Sequence, residues 1–384
     1  MTSRDARERQ RAFTGLLANP VIDRYSHPEL WSLVRHSRHR PVLVDWFASR
    51  LGYRLVVTDS AARLFRLPLG SVVVAPRRFA QPARRVLVLA LLAAVAAEDA
   101  EDVTTTQDLS DRVRVLSQHE DVELAAYDPD RFAERLVFVK AVDVLVGVGA
   151  LRPLARESEE QREGWAHRRD SVGGAYDVQR ELLLRMVDPT ALRAALDGGA
   201  GEDRIPEAAA RFGLMRRLLE LPVCLHDDLT EAERVYLTSQ RHRILAWCAE
   251  MTGWVVEQRQ EGMALIAVDE TDTDLPFPRL RAVDFAALTV LDELLRCQPA
   301  GGTFAGDAVE RAAASLRARY PKAMTKELAT DVVVANKALD ILRALDLVRP
   351  GAHAGTWRLT PAASRFRNPK VVSVTGRLDE EADA

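Results

Sequence analysis

The residues of this chain that could do chemistry are few and scattered. The sequence contains no GxxxxGK[ST] phosphate loop, no GxGxxG dinucleotide signature and no GxSxG nucleophile elbow. His27, His36 and His39 cluster in the segment HPELWSLVRHSRHRP, and the last two stand three residues apart, a spacing that suits a pair of metal ligands. No acid or cysteine stands at a third ligand spacing, and arginines crowd the segment. The pattern therefore favours a solvated basic surface over a metal site.

A second, equally weak metal signal lies in the stretch CLHDD, where Cys224 and His226 precede Asp227 and Asp228. The two aspartates could also serve a metal-dependent nuclease, which is the enzymatic alternative for this chain. Asp228 is better placed to cap the helix that the sequence predicts from about residue 230. We favour the cap, because the cluster is not a complete ligand set.

The cysteines point to a reducing compartment. Cys224, Cys248 and Cys297 are isolated and no CxxC pair occurs, which argues against a zinc ribbon or a disulfide framework. With no catalytic signature in the chain, we expect a protein that is not an enzyme and holds no cofactor or metal. The N-terminus, MTSRDARERQRAF, lacks the apolar region of a signal peptide, and the longest apolar run, Val86–Ala97, is too short to span a bilayer. We expect a cytoplasmic, nucleoid- or plasmid-associated protein with no membrane partner.

Arginines near the N-terminus are the strongest chemical signal. The whole chain carries a formal net charge of −3. Residues 1–90 hold 16 arginines, no lysine and 6 acidic residues, about +10, so the remainder carries about −13. Arginines on one exposed face suit contact with phosphates, without reading bases, whereas a solvated, salt-bridged surface is the alternative. The candidate contacts with double-stranded DNA are Arg35, Arg38, Arg40, Arg77, Arg78, Arg84 and Arg85.

An internal repeat reveals the elements that position these residues. Residues 140–153, KAVDVLVGVGALRP, and residues 337–350, KALDILRALDLVRP, align without a gap. Upstream, each copy has a helix that ends at a glycine and leads into a β-hairpin; the matched pairs there are Trp46 with Trp247 and Gly52 with Gly253. Matches in several blocks at a nearly constant offset indicate a duplication. Because both tryptophans recur at amphipathic positions, we expect them to be core residues rather than stacking platforms.

Each copy continues as helix, helix, helix, strand, turn, strand, which is the order of a winged helix-turn-helix. The predicted fold class is mainly α with small β-hairpins (α+β), built of tandem winged-helix domains that arose by internal duplication. The helix–hairpin unit before each copy is open to interpretation as a degenerate winged helix. Pro153 and Pro350 lack an amide donor and predict edge strands. The predicted elements include helices Arg84–Ala97 and Phe285–Leu295 and strands Leu151–Leu154, Ala175–Val178, Leu347–Arg349 and Thr356–Leu359.

The two copies differ in their wings. The second wing is short, PGAHAG, whereas residues 156–174 of the first, RESEEQREGWAHRRDSVGG, are charged and poor in apolar groups, so we expect a flexible loop. The predicted domains are a basic helical and helix–hairpin unit (1–80), a first winged-helix domain with the long wing (81–196), a linker or connecting helix (197–221), a second helix–hairpin unit (222–275), a second winged-helix domain (276–368) and a flexible tail (369–384).

Neither third helix resembles a reader of the major groove. In the first copy this helix starts in DPDRFAERL, where Asp128, Asp130 and Glu134 would repel phosphate. In the second copy the same place reads TKELATDVVVANK and is only mildly basic. Lys140 and Lys337 occupy equivalent positions on these helices, and the sequence leaves open whether they face a partner or solvent. Because neither third helix is strongly basic, the sequence favours a protein-binding module, and a winged-helix transcriptional regulator is the alternative.

The segments HPELWSLVRHSRHRPVLVDWFASRLGYRL, AYDVQREL and ELPVCLHDDLTEAERVYLTSQRHRI resemble a family of bacterial winged-helix proteins. These are the small subunits of Wadjet plasmid-defence complexes, and the likeness covers roughly residues 10–368. It is closest to the second class of these systems, whose subunit is longer than the short MukE-like one. Such subunits belong to the KITE group, the kleisin-interacting tandem winged-helix elements.

This resemblance implies a non-catalytic subunit of a condensin-like SMC complex. It implies a homodimer that binds a MukF-like kleisin and helps to hold double-stranded DNA, without sequence preference, against the SMC ATPase heads. Loop extrusion and cleavage of small circular DNA would belong to other subunits. The family supplies no catalytic signature, so the DNA-contact candidates depend on charge alone.

Overall fold

The computed structural model describes residues 3–66, 82–119, 124–189, 192–193, 206–298 and 301–370. Within these ranges the chain divides into two compact bodies. One body draws on residues 1–219, 229–255 and 267–274, and the other on residues 220–228, 256–266 and 275–384. Four sequential groups of helices and strands, here called modules 1 to 4, follow one another along the chain.

Module 1 (residues 3–66) begins with an amphipathic helix whose apolar side packs on two shorter helices. The ring centroid of Phe13 lies 4.7 Å from those of both Trp46 and Phe47. Gly52 adopts the left-handed backbone (φ 63°) that ends the third helix, as predicted. Its elements are α1 (Ser3–Ala18), β1 (Val21–Asp23), α2 (Pro28–Arg35), α3 (Arg40–Trp46, continued as a π-helical turn over Phe47–Leu51), β2 (Arg54–Val57) and β3 (Ala61–Phe65).

Module 2 (residues 82–189) is built on a larger apolar core, in which Leu89, Phe138 and Leu145 are completely buried. Thr105 caps the second helix by accepting a hydrogen bond from the amide of Asp108. Its elements are α4 (Arg84–Glu98), β4 (Val103–Thr105), α5 (Thr106–Ser117), α6 (Phe132–Gly147), β5 (Leu151–Pro153), α7 (Ser158–Ala166), β6 (Ala175–Val178) and α8 (Arg180–Leu183).

Module 3 (residues 206–266) has one long helix where the neighbouring modules have two shorter ones. Thr230 caps this helix in a capping box with Glu233, so the predicted cap at Asp228 is wrong. The helix ends at the left-handed Gly253 (φ 74°), as predicted. Its elements are α9 (Pro206–Glu220), β7 (Cys224–Leu225), a 3₁₀ turn (His226–Asp228), α10 (Glu231–Thr252), β8 (Val255–Gln258) and β9 (Gly262–Ile266).

Module 4 (residues 275–370) has a core of its own. Its second helix has Ala305 at the cap position, and Asp307 in the first turn of that helix pairs with Arg311 at 2.5 Å. Its elements are α11 (Ala282–Cys297), β10 (Thr303–Ala305), α12 (Gly306–Arg319), α13 (Asp331–Ala344), β11 (Val348–Pro350), β12 (Thr356–Leu359) and short 3₁₀ turns, of which Pro361–Phe366 is the last.

All four modules contain the same three-stranded sheet. In each of them the strand order is first, third, second, so the hairpin's return strand lies in the middle. Modules 1, 2 and 4 place two helices between the first and second strands, which is the winged-helix order, and module 3 places its 3₁₀ turn and α10 there. The predicted fold class, mainly helical with small antiparallel sheets, is confirmed. The helix–hairpin units before the two copies are thus winged helices in strand order as well. Pro153 and Pro350 lie on edge strands, as predicted.

The repeated sequence KAVDVLVGVGALRP/KALDILRALDLVRP forms α6 with β5 and α13 with β11. Gly149 (φ 76°) and Asp346 (φ 57°) hold the equivalent left-handed position between helix and strand. The two repeat arginines also contact equivalent places, since each reaches the residues just after the first strand of the preceding module, although by different interactions. Arg152 lies 3.7 Å above the ring of Tyr25, and Arg349 binds the carboxylate of Asp228 at 2.6 and 2.7 Å.

The long wing of module 2 contains the helix α7 (Ser158–Ala166), so the prediction that residues 156–174 form a flexible loop throughout is wrong. The charged sequence conceals one apolar side, formed by Trp165 and Ala166, that packs on the core. Trp165 is 4% exposed, lies 5.8 Å from the ring of Phe138 and donates from Nε1 to Oε1 of Gln107 at 2.7 Å. The charge is used as well, because the buried Arg162 pairs with Asp143 of α6 at 2.7 Å.

The apolar run Val86–Ala97 lies within α4, and its small residues face the module 2 core. Among the helices of the described ranges, none has both the length and the apolar character that a bilayer span requires. The linker candidate at 197–207 falls largely outside the described residues, with α9 starting at Pro206. The tail beyond Lys370 also lies outside them.

Candidate nucleic-acid interface

The turn between α2 and α3 brings three of the predicted arginines together. Arg35 is the last residue of α2, Arg38 lies in the turn and Arg40 is the first residue of α3. All three are exposed. This turn occupies the helix-turn-helix position of module 1, where a winged helix offers the start of its recognition helix to a nucleic acid. We call residues 35–40 the basic turn.

Contacts with α1 and α2 hold the basic turn in place and leave its charge at the surface. His39 is 2% exposed, and its Nε2 lies 3.5 Å from Oε2 of Glu8 on α1. A hydrogen bond from Arg4, followed by one from His39, lowers the pKa of the Glu8 carboxyl, so it stays an anion under the turn. Arg35 lies 4.6 Å above the ring of Trp31.

Arg38 is the arginine of the turn with an acidic neighbour. Its Nη1 lies 3.6 Å from Oδ1 of Asp5, and 73% of the side chain is exposed. A contact this long and this exposed costs little to exchange for a phosphate. Arg38 therefore stays available to an anionic ligand, like its neighbours Arg35 and Arg40.

The histidines of this segment do structural work. The amide of Arg38 donates to Nδ1 of His36 at 3.2 Å, and the His36 and His39 rings lie 5.0 Å apart at their centroids. His39 is turned inward to Glu8. Within the ranges that the structure describes, no group of three histidine, cysteine or acidic residues is arranged to hold a metal ion.

The structure describes two of the four remaining candidate arginines. Arg77 and Arg78 lie outside the described residues. Arg84 is exposed at the first position of α4. Arg85 is used inside module 2, where it binds Glu134 at 2.6 Å and donates to the carbonyls of Ala125 and Ala126 at 2.7 and 3.1 Å. Its guanidinium therefore ties α4 to the start of α6, and sequence spacing alone could not separate it from its neighbour.

The corresponding position of module 2 is acidic, and the wing helix is bonded to it. Arg135 of α6 is buried and donates to the carbonyls of Pro129, Asp130 and Ala166 at 2.8 to 3.0 Å. Ala166 belongs to α7, so the wing helix is bonded directly to the first turn of α6. Arg168, just after α7, pairs with the carboxylate of Asp130 at 2.7 Å. These contacts commit Arg135 and Arg168 within module 2, whereas Arg131, the N-cap residue of α6, is exposed beside Asp128 and Asp130.

Module 4 presents a mixed surface at the same position. Thr330 caps α13, and Asp331 in its first turn pairs with Arg317 at 2.5 Å. Lys337, one of the two matched lysines, lies 3.6 Å from Glu327, whereas its counterpart Lys140 is exposed. The position is not strongly basic, in agreement with its sequence.

Of the two aspartates considered for a nuclease, Asp228 is held in an ion pair. Asp228 accepts two hydrogen bonds from Arg349, which also binds Asp346, and these bonds raise the pKa of the arginine. Asp227 lies beside it in a 3₁₀ turn. Asp228 thus joins β11 to the turn after β7, which is the work of a structural residue.

Sequence reasoning missed the residues that close module 2. Trp165 stands among charged residues, and the i, i+3 spacing from Arg162 to Trp165 was the available signal for a helix face. The expectation that both repeat tryptophans are core residues is half right. Trp46 is buried, but Trp247 is half-buried with Arg50 3.6 Å above its ring.

A protein-family model described as a protein of unknown function (DUF2398) matches residues 13–369 of the chain. The match therefore includes parts of all four modules. No curated protein and no solved structure matches the chain significantly.

Proposed function

This chain belongs to the DUF2398 family, and from that premise we propose that it is the KITE-type, tandem winged-helix subunit of a condensin-like SMC complex that defends against plasmids. The subunit is non-catalytic in this proposal. It binds a MukF-like kleisin, forms a homodimer and helps to hold double-stranded DNA near the SMC ATPase heads. This is the MukE-like role that the sequence resemblance implies.

The observation that carries the proposal is the serial winged-helix order itself. Four three-stranded sheets share the order first, third, second, and the repeat arginines Arg152 and Arg349 contact equivalent places in the preceding modules. An array of winged helices with one basic turn suits a scaffold that contacts both proteins and DNA. The acidic residues at the start of α6, and the wing helix bonded to its first turn, support protein binding over groove reading at that module.

The DNA part of the proposal concerns the basic turn. Arg35, Arg38 and Arg40 present three exposed charges that can contact phosphates of either strand. Phosphate contacts release condensed counterions, so we expect an affinity that falls steeply with salt and depends little on sequence. With three such charges, the isolated chain should bind DNA weakly.

Co-expression with the candidate kleisin tests the proposal. A tagged chain should co-elute with a MukF-like kleisin through size exclusion, and addition of the SMC ATPase should give a larger complex. Absence of co-elution under low and moderate salt would contradict the assignment. The purified chain alone should neither hydrolyse ATP nor cleave plasmid DNA with Mg²⁺ or Mn²⁺ present.

A winged-helix regulator is the second candidate, and the exposed start of α3 is the observation that favours it. Arg40 stands there, at the position where a recognition helix enters a groove. Footprinting on genomic fragments separates the two functions. A defined operator that stays protected at moderate salt would support the regulator and contradict the scaffold.

A further inference from the structure

The first helix of module 2 carries an apolar stripe on its outer side. Leu87, Leu91 and Val95 of α4 are 44, 47 and 55% exposed. They are spaced by four residues, so they follow one another along a single face, while Leu89 and Ala93 on the opposite face are buried in the core. Three large exposed apolar groups in one line mark a surface that another protein covers.

The matching helix of module 4 lacks such a stripe. α11 has no exposed large apolar residue along its described length. Phe285 packs edge-to-face on Tyr320, and Asp292 accepts a hydrogen bond from the amide of Asn368 at 2.9 Å. Part of α11 is thus covered from within its own module. The exposed apolar stripe of α4 therefore distinguishes module 2 from module 4.

Charges extend the stripe in a pattern that is symmetric about its centre. Arg84 precedes Leu87 by three residues and Glu98 follows Val95 by three, and both charged side chains are exposed. The five positions 84, 87, 91, 95 and 98 therefore read cation, apolar, apolar, apolar, anion, with Leu91 in the middle. At 100° per residue all five fall within a sector of about 80° on the helix surface.

We infer that this stripe is a self-complementary interface, at which α4 packs antiparallel against α4 of a second copy of the chain. A two-fold axis at Leu91 sets the Leu91 side chains against each other and Leu87 against Val95 of the second copy. The same axis brings Arg84 opposite Glu98 at both ends. Parallel packing would instead oppose like charges at each end, so charge selects the antiparallel arrangement.

The inference deepens the proposed function, because it gives the homodimer a surface. It also assigns Arg84 to dimerisation and leaves DNA contact to the basic turn. One helix face buries less area than a standard interface, so we expect association in the micromolar range or weaker for the isolated chain. The ion pairs fix direction and register, whereas the apolar stripe supplies most of the affinity.

Sedimentation equilibrium up to about 100 μM, chosen for an interface of this size, measures the predicted association. Leu91→Glu places two carboxylates at the two-fold axis and should weaken dimerisation at least about 100-fold. Val115→Glu, at another exposed apolar position (68%) on α5, is the matched control and should leave the dimer unchanged. We expect both variants to fold, because both positions are at the surface, and circular dichroism checks this.

Charge reversal tests the register. Arg84→Glu and Glu98→Arg should each weaken the dimer about tenfold, because each creates two like-charge contacts. Combining them in one chain should restore wild-type association. Additive weakening in the double variant would overturn the antiparallel arrangement.

Cysteine cross-linking in a Cys297→Ser background supplies the second measurement. Leu91→Cys should form a covalent dimer on mild oxidation. Arg84→Cys alone should not, because the two equivalent positions would lie about 20 Å apart along the axis. A mixture of Arg84→Cys and Glu98→Cys chains should cross-link. Cross-linking of Arg84→Cys with itself would overturn the proposal.

The remaining outcomes separate this inference from the proposed function. A wild-type chain that stays monomeric, or a dimer that Leu91→Glu leaves intact, overturns the α4 interface. If Leu91→Glu abolishes kleisin binding and spares the dimer, the stripe belongs to the kleisin and the inference fails while the scaffold function stands. If the wild-type chain binds no kleisin yet dimerises as predicted, the function fails and the interface stands.

Discussion

Modules 1 and 2 place opposite surfaces at the same point of the same fold. In module 1 the turn before α3 carries Arg35, Arg38 and Arg40 and is open. In module 2 the start of α6 is acidic, and the wing helix α7 is bonded to it through Ala166 and Arg135. A shared topology therefore says little about which module would contact DNA in the proposed function. The side chains at the helix start, and whatever covers them, decide it.

The wing helix α7 is the largest difference between the two modules, and Trp165 packs it on the module 2 core. Trp165→Ala should lower the free energy of unfolding by about 3–5 kcal/mol, because it removes a buried ring and leaves a cavity against Phe138. Urea denaturation followed by circular dichroism measures this. The exposed Val115→Ala is the control. A loss under about 1 kcal/mol would mean that α7 packs only loosely on module 2.

The ion pair between α7 and α6 sharpens the comparison of the repeat copies. Asp143→Ala leaves the buried Arg162 without its carboxylate and should cost about 2 kcal/mol, a value reduced because Asp143 is itself half exposed. Its repeat counterpart Asp340 is exposed, and Asp340→Ala should change stability by less than about 0.5 kcal/mol. The same denaturation experiment compares the two variants. Equal effects would contradict the asymmetry of the copies.

The neighbouring residues Arg84 and Arg85 at the start of α4 should likewise differ in their effect on stability. Arg85→Ala removes a bond to Glu134 and two bonds to carbonyls, and we expect a loss of about 1–2 kcal/mol. Arg84→Ala, measured on the monomer at high dilution, should stay within about 0.5 kcal/mol of wild type. Thermal unfolding of both variants checks the order. A larger effect at Arg84 would reverse their roles.

The smallest expected effect concerns Glu8, which contacts His39 of the basic turn. Because the pKa of Glu8 lies below its ordinary value of 4.5, its ionised form stabilises the fold at neutral pH, and that contribution is lost as the pH falls through the lowered pKa. Glu8→Gln should therefore be less stable than wild type at pH 7, and the difference should disappear in acid. Thermal unfolding from pH 7 to pH 3 records it. A difference that grows in acid would have the wrong sign.

Much of this fold is predictable from the sequence, because it repeats and because its strands and helix ends follow local rules. The strands Ala175–Val178 and Thr356–Leu359 and the glycine ends at Gly52 and Gly253 follow from local rules, namely alternation and left-handed caps. The winged-helix order of module 3 was less accessible, since its first strand has only two residues, Cys224 and Leu225. A strand that short has no periodicity to detect.

The sequence predicts the candidate site only as a local excess of arginines, without saying which of them are exposed. Charge density pointed to Arg35 and Arg85 alike, but Arg85 is held by carbonyls of Ala125 and Ala126 that lie forty residues away. The wing was misjudged for the same reason, because Arg162 looks solvated until Asp143 and Tyr176 are placed beside it. Long-range partners decide whether a charge is exposed, and a single sequence does not display them.

The salt dependence of DNA binding tests most directly the claim that module 1, and not module 2, meets DNA. We expect Arg35→Ala/Arg38→Ala/Arg40→Ala to reduce the slope of log K against log salt by about 2 to 3, one counterion for each lost phosphate contact, in the reconstituted complex. The matched triple Arg131→Ala/Arg156→Ala/Arg169→Ala removes three exposed arginines around the start of α6 and the wing of module 2, and it should leave the slope unchanged. A reduced slope in the second triple, with wild-type binding in the first, would contradict the account.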